Sequence, residues 1–149
     1  MVGLRICWGG KRTPTFFCWW GRPVLRQLRH RASEVLATAR QVVLSTWGPA
    51  DIQAESLSCE SVDLALYVLV PRSSDLLFNL ENSTLVVATA ENWQARGMTR
   101  LLRPGQCPEQ LAIVRTPEAA WCEVAEICPT RLQLRPTHGQ GQGETIDIF

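Results

Sequence analysis

Apolar residues recur at steps of three and four from Val24 through Leu28, Ala32, Val35 and Ala39 to Val42, behind Pro23. That spacing predicts an amphipathic helix from Pro23 that ends near Ala39 to Gln41, because Pro suits a first helical turn and the next residues are β-branched. Val42 to Thr46 reads as a short strand stopped by Gly48-Pro49, and the polar, acidic residues 48–61 read as a loop with room for one helical turn. The apolar run Val62 to Val70, closed by Pro71, predicts a strand buried on both faces. A cap at Ser73-Ser74-Asp75 introduces a short helix over Leu76 to Glu81, and Thr84 to Ala90 is a second buried strand. Helices are then expected over Asn92 to Arg103, ended by Pro104-Gly105, and over Pro117 to Cys128, ended by Pro129. Strands are expected at Leu111 to Arg115 and Arg131 to Arg135.

Strands alternating with helices over residues 62–135 imply an α/β fold: a small single sheet, partly parallel, flanked by helices. The expected organisation has three parts. Residues 1–21 form a basic and aromatic segment that is irregular or holds a short edge strand at Leu4 to Trp8, residues 22–136 form one α/β domain, and residues 137–149 form a flexible Gly/Gln-rich tail.

At 149 residues and 46% apolar content the chain can bury a core of its own. Its longest apolar run, Leu64 to Val70, is far below the roughly 20 residues that span a bilayer, which predicts no membrane crossing and an intracellular protein. Residues 1–33 hold seven basic side chains and no acid, so a mitochondrial transit segment is the competing address.

Charge is segregated: eight basic residues against Glu34 within positions 1–50, then seven acidic residues against Arg72 within 51–95. The positive charge is almost all arginine, 14 against the single Lys11. Arg22, Arg26, Arg29 and Arg40 fall on one helical stripe, and Arg96, Arg100 and Arg103 on another. Guanidinium groups grip phosphate in a two-pronged fork, and Trp19 and Trp20 beside them supply rings for stacking bases. The expected activity is therefore non-catalytic: an adaptor that binds nucleic acid through those seven arginines and two tryptophans. An obligate subunit of a protein complex, with its apolar cluster Phe16 to Trp20 buried against the partner, and a small α/β enzyme or an inactive relative of one are the alternatives.

Motifs for other chemistry are missing. The six cysteines include no Cys-x-x-Cys pair, His30 and His138 stand apart, and no Gly-rich phosphate loop follows a strand. No metal and no cofactor are expected. Glu123 and Glu126 are placed on the polar side of the 117–128 helix, where they are solvated rather than paired for acid–base work.

Ser45-Thr46-Trp47 with Asp51 resembles a short pattern of bacterial polysaccharide glycosyltransferases, without the nucleotide-sugar and metal-binding elements of those enzymes. The terminal Ile146-Asp147-Ile148-Phe149, behind its Gly/Gln stretch, resembles the tip of bacterial single-stranded-DNA-binding proteins. The resemblance implies a protein partner with an apolar pocket rimmed by basic groups.

Overall fold

The computed structural model describes residues 15–136 and 143–148, with side chains from Val24 onward. In chain order these form α1 (Thr15–Ala37), β1 (Gln41–Gly48), β2 (Asp51–Val62), β3 (Ala65–Pro71), α2 (Asp75–Asn82), β4 (Leu85–Thr89), β5 (Trp93–Leu102), two 3₁₀ turns (Ile113–Arg115 and Pro117–Trp121), β6 (Cys122–Leu134) and β7 (Glu144–Asp147). The strands lie in the order β3-β2-β1-β4-β5-β6, and β6 returns to pair with β3, closing a six-stranded barrel to which β7 is added along β6.

Every pairing is antiparallel, which overturns the expected α/β sheet with parallel strands and helical crossovers. Three segments account for the difference. Residues 51–58, within the expected 48–61 loop, pair with β1 along its whole length, and Cys59 to Val62 go on to pair with β3. Residues 93–102, expected as a helix, alternate between the interior and solvent: Trp93, Ala95, Gly97 and Thr99 point in while Arg96, Met98 and Arg100 point out. Residues 122–134, expected as the end of one helix and a separate strand, are a single strand thirteen residues long. The expected strand at 111–115 is a 3₁₀ turn.

The core fills the barrel with Val42 and Leu44 of β1, Leu57 and Cys59 of β2, Leu66, Val68 and Val70 of β3, and Trp93, Ile127 and Leu132 of the later strands. α1 packs Ala32 and Leu36 onto this core, and α2 inserts Leu76, Leu77 and Leu80. β3 is buried on its outer side as well, as its continuous apolar run predicts. The cover there is the segment after β5, which lays Leu111, Ile113 and Val114 over Tyr67 and Leu102.

Two-residue turns join β1 to β2 and β2 to β3, with Asp51 at φ 60° and Asp63 at φ 52°. Aspartate tolerates this left-handed region better than most residues. Asn79 of α2 holds the first turn from inside: its amide donates to the Asp51 carbonyl (2.8 Å) and the Thr46 hydroxyl (3.1 Å), and its oxygen accepts the Ala50 N–H (2.9 Å). A β-carbon on Gly48 would sit 2.8 Å from the Asn79 Oδ1.

β6 serves different partners on one edge because it carries a bulge. Gly97 lies opposite Pro129 and Arg96 opposite Arg131, so Thr130 is the extra residue. Before the bulge, Cys122 to Ile127 pair with β3, and after it Arg131 to Leu134 pair with β7. The strands are in close contact here, and a β-carbon on Gly97 would stand 2.6 Å from the Cys128 carbonyl oxygen. Gly97→Ala should therefore force β5 and β6 apart, costing about 1–3 kcal/mol as overpacking does, and lower the thermal unfolding midpoint measured by circular dichroism.

Candidate functional site

The bulge and the outward positions of four strands build a groove on the barrel's outer surface. Along β1 the outward residues are Val43, Ser45 and Trp47, along β4 Leu85 and Val87, and along β5 Arg96 and Met98. Register aligns them: Trp47 lies opposite Ile52, Ser45 opposite Val87, Val87 opposite Arg96, and Arg96 opposite Arg131. The groove encloses about 540 Å³ and is lined by Trp47, Ile52, Leu85, Val87, Arg96 and Thr130 among others. Trp47, Ile52 and Leu85 are 75%, 74% and 69% exposed, so three large apolar side chains meet water on one continuous surface.

Electrostatics leave one cation at its edge. Arg131 donates to Asp147 at 2.9 Å, whereas Arg96 makes no ion pair among the described residues. Arg96 lies two strands from Trp47 and two residues along, which places their backbones about 12 Å apart. An apolar, aromatic floor with a guanidinium at its edge can take an aromatic ring and an anionic group together.

The seven expected arginines do not form one surface. The side chain of Arg22, like those of Trp19 and Trp20, lies outside the described residues. Arg26 and Arg29 are exposed on α1 and line a separate groove with His30 and Asp63. Arg40 is exposed just before β1. Arg96 and Arg100 share a strand instead of a helix, and Arg103 follows its end. Arg100 is engaged by Glu126 at 3.2 Å, and that carboxylate also accepts from the Tyr67 hydroxyl at 3.1 Å. Glu126 is thus part of a cross-strand network rather than the solvated helix position expected of it.

The segregated charge is partly neutralised across the fold, through Arg31 with Glu144, Arg100 with Glu126 and Arg131 with Asp147. Of the expected partner-binding tip, Ile146 is buried against the chain's own barrel, Ile148 packs beside that core and Asp147 holds Arg131, while Phe149 lies outside the described residues.

Sequence reasoning missed Trp47, Ile52 and Leu85 as a site. Each ends or begins a short strand, and only the register brings them together. Trp121, expected to be core, is 67% exposed.

Burial pushes the Cys59 thiol from 9.0 up to about 11, with Arg40 opposing, and burial also raises Cys122 and Cys128. Burial, then the Glu126 carboxylate, raises Tyr67 from 10.0 to about 12. Both groups ionise more readily in the unfolded chain, so the stability they contribute is full below pH 9 and lost as pH rises toward 12. Urea midpoints should accordingly stay level from pH 7 to 9 and fall above it.

A scan of sequence-family models and a search of curated proteins give no match. Solved structures do match. General stress protein 26 from Bacillus anthracis aligns with a TM-score of 0.60 at 15% identity, over 79% of this chain and 97% of its own. A protein related to general stress protein 26, of the pyridoxinephosphate oxidase family, from Clostridium acetobutylicum gives 0.58 at 11%, over 83% and 96%. A heme binding protein from Mycobacterium smegmatis gives 0.59 at 10%, over 80% of this chain and 57% of that one. The class defined is a small closed antiparallel barrel, similar in fold to these structures, and at these identities the likeness is one of fold alone. Among the described residues no helix is long and apolar enough to cross a membrane.

Proposed function

We propose that this barrel is a non-catalytic binding protein whose outer groove takes a planar aromatic compound carrying a phosphate. The observation that carries the reading is the exposed Trp47, Ile52 and Leu85 surface beside Arg96, which makes no ion pair among the described residues and whose backbone lies about 8 Å from that of Leu85 and about 12 Å from that of Trp47. A fused ring joined to its phosphate by a spacer, as in flavin mononucleotide, suits an aromatic end at Trp47 and an anion at Arg96 two strands away. Iron coordination by heme is a poorer fit: among the described residues the groove lining holds no histidine, cysteine or tyrosine, and Met98, outward beside it on β5, has no histidine partner there. The neighbours' printed names, a pyridoxinephosphate oxidase family and a heme binding protein, support a planar ligand in general and nothing narrower.

Titration of flavin mononucleotide with purified protein, read by flavin fluorescence, tests the reading. Saturable quenching at micromolar protein is expected, and an unchanged signal at 100 µM protein (about a 5.5 kcal/mol affinity ceiling) would reject it.

A second reading keeps nucleic acid as the anion. It is favoured by Arg26, Arg29 and His30 lining one groove beside α1. Anisotropy of labelled single-stranded DNA at two salt concentrations separates the two, since phosphate-backbone contacts weaken steeply with salt.

A further inference from the structure

Beyond its bulge, β6 offers a groove for an added strand, and β7 fills it. The contacts are specific. The Ile148 N–H donates to the Thr130 carbonyl that the bulge exposes (2.8 Å), Ile146 lies opposite the fully buried Leu132 and is itself 4% exposed, and Arg131 and Arg31 hold Asp147 and Glu144 at 2.9 and 2.7 Å. The acceptor is therefore an apolar slot rimmed by two arginines, and its occupant is an acidic strand with isoleucines at alternate positions.

All the anchors just named belong to β6 and α1, none to the residues that lead into β7. Among the described residues the strand's ladder pairing is with β6 alone, with Arg31 of α1 adding an ion pair to Glu144. A β7 segment from another molecule could make the same bonds, the covalent link contributing only loop closure, whose cost changes slowly with length. We propose that the β6 edge from Thr130 to Leu134 is a strand-acceptor site that takes residues 144–148 of a second copy of this chain. Bound in cis, the strand masks the site; exchanged in trans, it links two barrels by β-strand addition.

Charge reversal in full-length protein tests this directly. Arg131→Asp sets two acids against each other within its own molecule, and Asp147→Arg sets two arginines together. Each variant alone should run as a monomer on size exclusion, and an equimolar mixture should give a heterodimer, because exchange restores opposite charges at both sites. A mixture that elutes as the separate monomers, with each variant folded by far-ultraviolet circular dichroism, would overturn the proposal. If either variant fails to fold, full-length Ile146→Ser is titrated against a labelled peptide of residues 143–148. At least tenfold tighter binding than to the unaltered protein is expected, and equal or absent binding overturns the proposal.

Discussion

Replacing Asn79 with Leu is expected to lower the thermal midpoint by about 10 °C, the scale that a loss of about 3 kcal/mol produces in a domain of this size. Three bonds disappear together: those to the Asp51 carbonyl, the Thr46 hydroxyl and the Ala50 N–H. Thr46 is 4% exposed, so its hydroxyl loses a partner where water cannot replace it, and an unmade bond at a buried group costs roughly 1–3 kcal/mol. Leucine is also branched where the Asn79 amide stands against Gly48. Differential scanning calorimetry of Asn79→Leu beside Asn79→Asp checks the account. Aspartate keeps the acceptor for Ala50 but donates nothing when ionised, so it should also destabilise; a variant that unfolds with the native midpoint would show that α2 does not hold the turn.

Leu85→Asp should abolish flavin mononucleotide binding, raising the dissociation constant at least 100-fold. Leu85 is 69% exposed, so the folded barrel loses little by the change. A ligand ring would instead have to cover a carboxylate, which desolvates it and sets it against the ligand's own phosphate. Trp47→Ala removes the stacking surface without adding charge and should weaken binding by about tenfold, the 1–3 kcal/mol range of ring stacking. Fluorescence titration of both variants, with thermal midpoints near that of the unaltered protein, distinguishes loss of the site from loss of the fold.

The parts of the fold that the sequence reveals are those whose apolar residues follow one period. α1 shows its three-and-four spacing, and Leu66, Val68 and Val70 form an uninterrupted apolar run with their outward neighbours. β5 hides its period. Its inward residues after Trp93 are Ala95, Gly97 and Thr99, small side chains with little hydrophobic signal, and its outward ones include Gln94, Arg96, Met98 and Arg100, all good helix formers. β2 is masked differently: only Leu57 and Cys59 are fully buried, so most of the strand is as polar as a loop. β6 is disguised by its bulge, which shifts the inward positions from Ala125, Ile127 and Pro129 to Leu132 and breaks the alternation. Such strands are decided by cross-strand partners distant in sequence, which local preference does not record.

The candidate site follows the same logic. Arg96 is singled out in the sequence for its arginine chemistry, but the helix expected to carry it with Arg100 and Arg103 is the strand β5, on which Arg100 is held by Glu126 of the neighbouring strand. Trp47, Ile52 and Leu85 belong to three strands and become a surface only once β2, β1 and β4 pair in register. The isoleucines of the last strand read as an anchor for an apolar pocket with a basic rim, and that pocket's chemistry is present in the chain's own β6 edge.

The most direct measurement compares flavin mononucleotide with riboflavin, its counterpart without phosphate, on the unaltered protein and on Arg96→Ala. If Arg96 holds the phosphate and the apolar floor holds the ring, the unaltered protein should prefer the phosphate form at least tenfold, and Arg96→Ala should bind both forms alike. An equal preference in both proteins, or no binding of either form, would contradict the proposed site.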